Sequence, residues 1–187
     1  MAVKVYIDQG HNPRNPNAGA EGNGYREQDL VYEIGVRTAE ILRANGIDVR
    51  LSRPTAETQL GTSTSSSLIA RVNDANTWGA DYFISLHANA SDIRSASGSE
   101  AFVYSLDSEA EELAENILTQ LNFYTGLQNR GVSARTNLYV LRRTRMPATL
   151  IELGFITNPY DAELMAEDPT SFARGVANGV LAYLGML

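Results

Sequence analysis

Short apolar runs alternate with longer amphipathic segments along the chain. The run "VKVYID" is followed by a helical pattern from Glu27 to Asn45, in which apolar residues recur every three or four positions. This alternation predicts an α/β protein, a three-layer sandwich whose mostly parallel, twisted sheet is flanked by helices. With 187 residues and 43% hydrophobic content, the chain has enough apolar side chains for one core. We therefore expect a single domain over residues 1–187.

The same patterns place the remaining elements. Further strands are predicted at "IDVRLS", "DYFISLHANA", "EAFVYS", "LYVLR" and "TLIELGF". Further helices are predicted after the Ser/Thr-rich "GTSTSS", over "SEAEELAENILTQLNFY" and from Phe172 to Leu184. No run reaches the roughly twenty apolar residues of a membrane span. The start of the chain, "MAVKVYID", enters a strand pattern without the features of a signal peptide.

Composition restricts both the partners and the metal ligands of this chain. A net charge of -7 and a pI of about 4.8 argue against nucleic acid, whose phosphates require a basic surface. The chain has no cysteine, so disulfides and thiolate ligands are excluded, and a metal must be held by His, Asp or Glu. The expected state is a monomer.

Both histidines of the chain lie near the carboxyl ends of predicted strands. His11 comes after "VYIDQG", and His87 ends "YFISLH". Either one alone is more simply explained as a hydrogen-bonded structural residue. In an open α/β sheet, however, ligands bind at the carboxyl ends of the strands, so both imidazoles are expected at the same edge of the sheet. The pair therefore indicates a binding site.

Glu27 opens the first predicted helix, in "GNGYREQDL". An acidic residue in a first helical turn is also explained by the helix dipole alone. The Gly- and Asn-rich loop over residues 12–25 is longer than the about two to six residues of an ordinary βα connection, and such a loop can wrap a site. His11, Glu27 and His87 are therefore predicted to hold one zinc ion per chain, with a fourth position open to water.

Glu152 lies inside the apolar stretch "ATLIELGFITN". A carboxylate in an apolar strand is unfavourable unless it is paired or its pKa is raised. One interpretation is an ion pair with Arg53, Arg142 or Arg143. We favour a catalytic role, because a carboxylate beside a metal in an apolar setting suits a general base.

Seven stretches carry a family resemblance. In chain order they are "IDQGHN", "YREQDL", "RVNDAN", "FISLHANA", "GSEAFVY", "NRGV" and "LYVLRRTRMPATLIELGFITN". They resemble, in order and nearly in spelling, the zinc-dependent N-acetylmuramoyl-L-alanine amidases of the type 3 amidase family, over nearly the whole chain. By this resemblance His11, Glu27 and His87 correspond to the family's three zinc ligands, and Glu152 corresponds to its catalytic glutamate.

The resemblance implies a peptidoglycan hydrolase that acts at the bacterial cell wall, outside the cytoplasmic membrane. Its substrate would be the amide between the lactyl group of N-acetylmuramic acid and L-alanine. Asn89 and Asn158, just beyond strand ends, are candidates for hydrogen bonds to substrate, although each equally suits a loop cap. A separate wall-binding domain is expected, because an acidic domain is not drawn to an acidic wall by charge.

One departure from the family concerns the turn after His11. The family usually has Asp-Pro-Gly-His-Gly-Gly where residues 8–13 of this chain read "DQGHNP". We therefore expect this turn to be rebuilt while the ligand is kept.

Two other classes of protein stay open. A zinc exopeptidase on a similar fold uses comparable residues, but it places its first His and Glu a few residues apart, whereas here they are sixteen positions apart. A non-catalytic wall-binding module would be expected to lose Glu152 or a ligand, and this chain keeps all four.

Overall fold

A six-stranded sheet forms the centre of the computed structural model, which describes residues 2–187. The strands are β1 (Lys4–Gln9), β2 (Glu21–Gly22), β3 (Tyr25–Arg26), β4 (Asp48–Leu51), β5 (Tyr82–Asn89), β6 (Ser99–Val103), β7 (Asn129–Ala134) and β8 (Ala148–Phe155). The helices are α1 (Glu27–Ala44), α2 (Thr64–Trp78), α3 (Glu109–Thr125), α4 (Tyr139–Arg143), α5 (Pro159–Glu167) and α6 (Pro169–Tyr183).

The strand order in the sheet is β4-β1-β5-β8-β6-β7. The first four of these strands are parallel to one another, whereas β6 is antiparallel to β8 and parallel to β7. The short strands β2 and β3 pair separately as a hairpin. The predicted α/β class and mostly parallel sheet are confirmed. Among residues 2–187, no helix is both long enough and apolar enough to span a membrane.

Helices cover both faces of the sheet, as the three-layer prediction requires. Side chains alternate along β1, so that Val5 and Ile7 pack into the cluster with α1, α3 and α6, while Tyr6 packs into the cluster with α2 and α4. The same alternation puts His87 of β5 and Glu152 of β8 on the α2/α4 face. The carboxyl ends of β1, β5 and β8 lie at one edge of the sheet, and the predicted site residues gather there.

Helix α2 has well-defined ends, and its position fixes one wall of the site. Ser63 caps its start by accepting a hydrogen bond from the backbone N–H of Ser66, in a reciprocal capping box. Gly79 ends it in the left-handed conformation, at φ 69°. The inward face of the helix carries Val72, Ala75 and also a buried arginine, Arg71.

The predicted strand "LYVLR" was wrong, because residues Tyr139–Arg143 form helix α4. A short apolar run is compatible with a strand or with a buried helix. In this structure the segment is helical, and it buries Val140 and Leu141 against α2 and β8. Strand β7 and helix α5 were not predicted. Strand β7 is mostly polar and exposed, so it lacks the apolar alternation of a core strand. Helix α5 begins after the N-cap residue Asn158 and has Pro159 in its first turn, which is a sequence signal for a helix start.

Candidate metal centre

The three residues predicted as metal ligands meet at the carboxyl-end edge of the sheet. His11 follows β1, His87 lies on β5, and Glu27 is the first residue of α1. One ligand atom from each lies within 4.8 Å of the other two. Glu27 Oε1 is 3.1 Å from His11 Nε2 and 2.9 Å from His87 Nδ1.

Glu27 is buried and held in one orientation. Its Oε1 accepts the backbone N–H of Ala88 at 3.1 Å, and its Oε2 accepts that of Ala20 at 2.9 Å. Burial by itself would raise the pKa of Glu27, but the hydrogen bonds and charge of His11 and His87 outweigh it and hold the pKa well below its usual range. The carboxylate is therefore ionised, as a metal ligand must be.

The loop over residues 12–25 wraps around these side chains. Gly10, just before the loop, lies against the His87 ring, since a Cβ at Gly10 would come 2.5 Å from His87 Cε1. Gly19 lies against Glu27, where a Cβ would come 2.7 Å from Oε2. Only glycine permits such close approach of the backbone. The turn after His11 is built on the buried Asn12, which donates to the carbonyls of Pro16 at 2.8 Å and Leu60 at 2.9 Å.

A buried ion pair holds the backbone that carries His11. Arg71 Nη1 donates to Asp8 Oδ1 and to the Gln9 carbonyl, both at 2.6 Å, and Arg71 Nη2 donates to the His11 carbonyl at 2.5 Å. His11 has a φ of 67°, a left-handed conformation uncommon for a non-glycine residue. Burial would raise the pKa of Asp8, but Arg71 and a 2.7 Å hydrogen bond from Ser85 Oγ lower it. Arg71 therefore secures the turn in which His11 sits.

The chemistry of this donor set fits a divalent metal. Two imidazole nitrogens and one carboxylate oxygen are ligands of catalytic zinc sites, in which Zn–N and Zn–O bonds of about 2.0–2.2 Å put neighbouring ligand atoms about 3.3 Å apart. The 3.1 Å and 2.9 Å separations around Glu27 Oε1 are close to that value. His11, Glu27 and His87 thus form a clustered donor set of the kind that holds one metal ion.

Glu152 lies beside this set. It is the register partner of His87 across β5 and β8, so the two side chains are neighbours on the same face. Glu152 Oε2 is buried and has no hydrogen-bond partner among residues 2–187. Burial, followed by the charges of Glu27 and Glu100, raises the pKa of Glu152 to about 8. These surroundings therefore favour the neutral form of the Glu152 carboxyl group.

The alternative role of Glu152, as the partner of an arginine, is not supported. Arg53 directs its guanidinium elsewhere, donating to the carbonyls of Gln28 and Ala56 at 2.8 Å each. Arg142 and Arg143 belong to α4 and make no ion pair within the described part of the chain.

The two asparagines predicted to bind substrate both have intramolecular hydrogen bonds. Asn158 caps α5 by accepting from the backbone of Tyr160 and Asp161, at 2.9 Å and 3.2 Å. Asn89 Nδ2 donates to Glu100 Oε1 at 2.5 Å. Contact of either residue with substrate stays a prediction.

A small apolar cavity opens next to the ligands. It has a volume of about 130 Å³ and lies between β1, β5, α2 and the start of α4. Beside His11 and His87, its walls include Leu68, Leu138 and Val140. A small apolar group of a bound molecule would fit there, directly beside the metal ligands.

Comparison with known proteins identifies the family. The family model described as N-acetylmuramoyl-L-alanine amidase matches residues 5–182. The chain belongs to this family.

Individual relatives agree with this assignment. The chain is 35% identical to the N-acetylmuramoyl-L-alanine amidase CwlM of Bacillus licheniformis, over 95% of this chain and 67% of that protein. It is 34% identical to the amidase LytC of Bacillus subtilis, over 96% of this chain and 35% of that protein. The crystal structure of an N-acetylmuramoyl-L-alanine amidase from Clostridium difficile 630 superposes with a TM-score of 0.87 at 31% identity, covering 98% and 97% of the two chains. The chain thus spans about a third to two thirds of the length of these two curated relatives.

Two features of this amidase-family site were not predicted. Arg71 lies in the stretch "RVNDAN" and Glu100 in "GSEAFVY", both of which carry the family resemblance, yet neither residue was assigned a role. A signal existed for Arg71, because it shares the inward face of α2 with Val72 and Ala75, where a charge requires a buried partner.

Replacement of Arg71 tests its role in holding the turn that carries His11. Arg71→Met leaves the Asp8 carboxylate buried and unpaired, so we expect the free energy of unfolding of the metal-free protein to fall by about 3–5 kcal/mol in urea denaturation. The double variant Asp8→Leu/Arg71→Met removes both charges and should recover much of this loss. Its affinity for Zn²⁺ should nevertheless stay about ten- to a hundredfold below wild type, because the His11 carbonyl has lost its donor. Wild-type affinity in the double variant would contradict the positioning role.

A second prediction follows from the raised pKa of Glu152. Because folding raises this pKa from 4.5 to about 8, the stabilising contribution of the neutral group is complete below pH 4.5 and is lost as pH rises through about 8. Gln is neutral throughout. In the metal-free protein, the stability of Glu152→Gln relative to wild type should therefore increase over this interval, as measured by urea denaturation with a chelator present. A stability difference that does not change with pH would mean that Glu152 is not held in a desolvating environment.

Proposed function

We propose that this domain, residues 1–187, is a peptidoglycan amidase that hydrolyses the bond between the lactyl group of N-acetylmuramic acid and L-alanine. The observation that carries this proposal is the meeting of His11, Glu27 and His87 with a proton-accepting Glu152 beside them, in a chain that matches the amidase family over residues 5–182. Both the ligand set and the base are those needed for metal-assisted hydrolysis of an amide.

The proposed cofactor is one zinc ion per chain, held by His11, Glu27 and His87. When bound, zinc supplies Lewis-acid chemistry: it lowers the pKa of a water molecule from about 15.7 toward about 7 and polarises a carbonyl oxygen. The protein's contribution is to keep Glu27 ionised and both imidazoles oriented, through the contacts around Glu27 and the Arg71 support behind His11.

Glu152 is the proposed proton shuttle. Its unpartnered Oε2 is free to accept a proton from the attacking water and to return it to the amide nitrogen as the C–N bond breaks. Burial, the largest cause of its raised pKa, favours uptake of the proton by Glu152. The cavity bounded by Leu68, Leu138 and Val140 suits a methyl group beside the scissile amide, of which the lactyl group and L-alanine each have one.

The proposed location of the protein follows from its proposed substrate. We propose that it acts at the bacterial cell wall, outside the cytoplasmic membrane, as a monomer. The net charge of -7 gives it no electrostatic attraction to an anionic wall. Targeting is therefore assigned to a separate wall-binding domain, in keeping with the curated relatives that are longer than this chain.

The two alternative classes are disfavoured by particular observations. A zinc exopeptidase would place its first His and Glu a few residues apart, whereas here the loop over residues 12–25 separates His11 from Glu27. A buried, unpaired carboxylate beside a metal site is unfavourable for folding and would not be expected in a non-catalytic wall-binding module. Glu152 is such a group.

The proposed function is tested by Glu152→Gln in the zinc-loaded protein. Gln keeps the size of the side chain and removes the proton acceptor, so zinc content and fold should be retained while peptidoglycan hydrolysis falls by about a hundred- to ten-thousandfold. By contrast, His11→Ala and His87→Ala should lower zinc content sharply. Zinc per chain, melting temperature and release of L-alanyl peptides are measured on each preparation.

Exposed Glu115 of α3, on the opposite face of the sheet, provides the matched control. Glu115→Gln removes the same charge and should leave hydrolysis unchanged. Near-normal hydrolysis by Glu152→Gln would remove Glu152 from the mechanism, and loss of zinc from that variant would make it a ligand. Stoichiometric zinc in the His11→Ala/His87→Ala double variant would contradict the proposed metal site.

A further inference from the structure

Three side chains form a row across neighbouring strands at the candidate site. His87 on β5 is the register partner of Glu152 on β8, and Glu152 is in turn the register partner of Glu100 on β6. Register partners lie on the same face of a sheet, and adjacent strands are about 4.8 Å apart. The row therefore runs from a metal ligand, through the proton shuttle, to a second carboxylate.

Glu100 is held by one hydrogen bond and by one long ion pair. Its Oε1 accepts a hydrogen bond from Asn89 Nδ2 at 2.5 Å. Its Oε2 lies 3.8 Å from Arg130 Nε, which is beyond hydrogen-bond distance. Arg130 itself is directed to the Ser97 carbonyl, at 3.2 Å, and over the ring of Phe155. Oε2 of Glu100 is thus ion-paired at long range but accepts no hydrogen bond among residues 2–187, so it can accept one from a cation at the site.

Two carboxylates directly opposite each other in an antiparallel pair destabilise the fold. Glu152 has its proposed role in proton transfer, whereas Glu100 has none so far. A cation that arrives between or beside them would relieve the repulsion. Hydrolysis of an amide generates such a cation.

We propose that Glu100 binds the amino group of the departing L-alanine; this proposal rests on the amidase function proposed above. In the reaction the water oxygen bonds to the carbonyl carbon, the C–N bond breaks, and both water protons end on nitrogen, giving a carboxylate and an ammonium group. Glu152 delivers protons to that nitrogen, so the nitrogen lies beside Glu152. The next side chain in the row, away from His87, is Glu100, whose negative charge stabilises the ammonium group as it forms.

The test compares zinc-loaded wild type with Glu100→Gln. Gln retains an Oε1 that can accept the Asn89 hydrogen bond, so zinc content and melting temperature should be unchanged. Loss of a charge-assisted hydrogen bond should lower kcat/KM for peptidoglycan fragments by about ten- to a hundredfold. Glu100→Asp should keep part of the activity, and Glu115→Gln should keep all of it. Full activity in Glu100→Gln would overturn the proposal.

A second measurement separates binding of the ammonium group from a structural effect. The peptide product with its free L-alanine amine, and the same peptide N-acetylated, are compared as inhibitors. Wild type should bind the free-amine peptide about tenfold or more tightly than the acetylated one, and Glu100→Gln should lose that preference. Equal inhibition of wild type by both peptides would overturn the proposal even where amide hydrolysis is normal. Absence of amide hydrolysis in wild type would instead overturn the amidase function and this proposal with it.

Discussion

The buried ion pair between Asp8 and Arg71 is the interaction on which the candidate metal centre depends. Burying two charges is unfavourable unless their remaining hydrogen-bonding groups are satisfied. Here Asp8 also accepts from Ser85, and Arg71 also donates to the carbonyls of Gln9 and His11, so that of the pair's polar side-chain atoms only the Nε of Arg71 is buried without a partner among residues 2–187. The pair thereby joins β1, β5 and α2, and it fixes the left-handed turn that directs His11 toward Glu27.

Two carboxylates at one site acquire opposite properties from their surroundings. Glu27 receives hydrogen bonds from two imidazoles and two backbone amides, which favour the charged form and suit a ligand. Glu152 is buried without such partners and faces the charges of Glu27 and Glu100, which favour the neutral form and suit a group that takes up and releases protons. When two acidic residues have environments that shift their pKa values in opposite directions, the two residues can take different catalytic roles.

Much of the fold and of the candidate site followed from the sequence because strong local signals coincided with it. The only two imidazoles both lie near the carboxyl ends of apolar strand patterns, and Glu152 interrupts an otherwise apolar run. Strand β7 was not predicted, because a polar edge strand has no clear alternation of apolar and polar residues. Helix α4 was predicted as a strand, because a short apolar run of about five residues is compatible with a strand or a helix. The helical spacing of Arg71 indicates that it needs a buried partner, but the sequence does not say which one. The positions of Asp8 beside Arg71 and of Glu100 beside Glu152 depend on which strands and helices become neighbours, and this is fixed only by the tertiary structure.

The reaction proposed for this chain is hydrolysis of the lactyl amide of peptidoglycan by water. It is tested most directly by digesting purified peptidoglycan with the zinc-loaded protein in ¹⁸O-labelled water and locating the label by mass spectrometry. We expect one ¹⁸O atom in the lactyl carboxylate of the glycan product, with a new free amine on L-alanine and no new reducing sugar ends. Label in a peptide carboxylate, or at a sugar carbon, would contradict it.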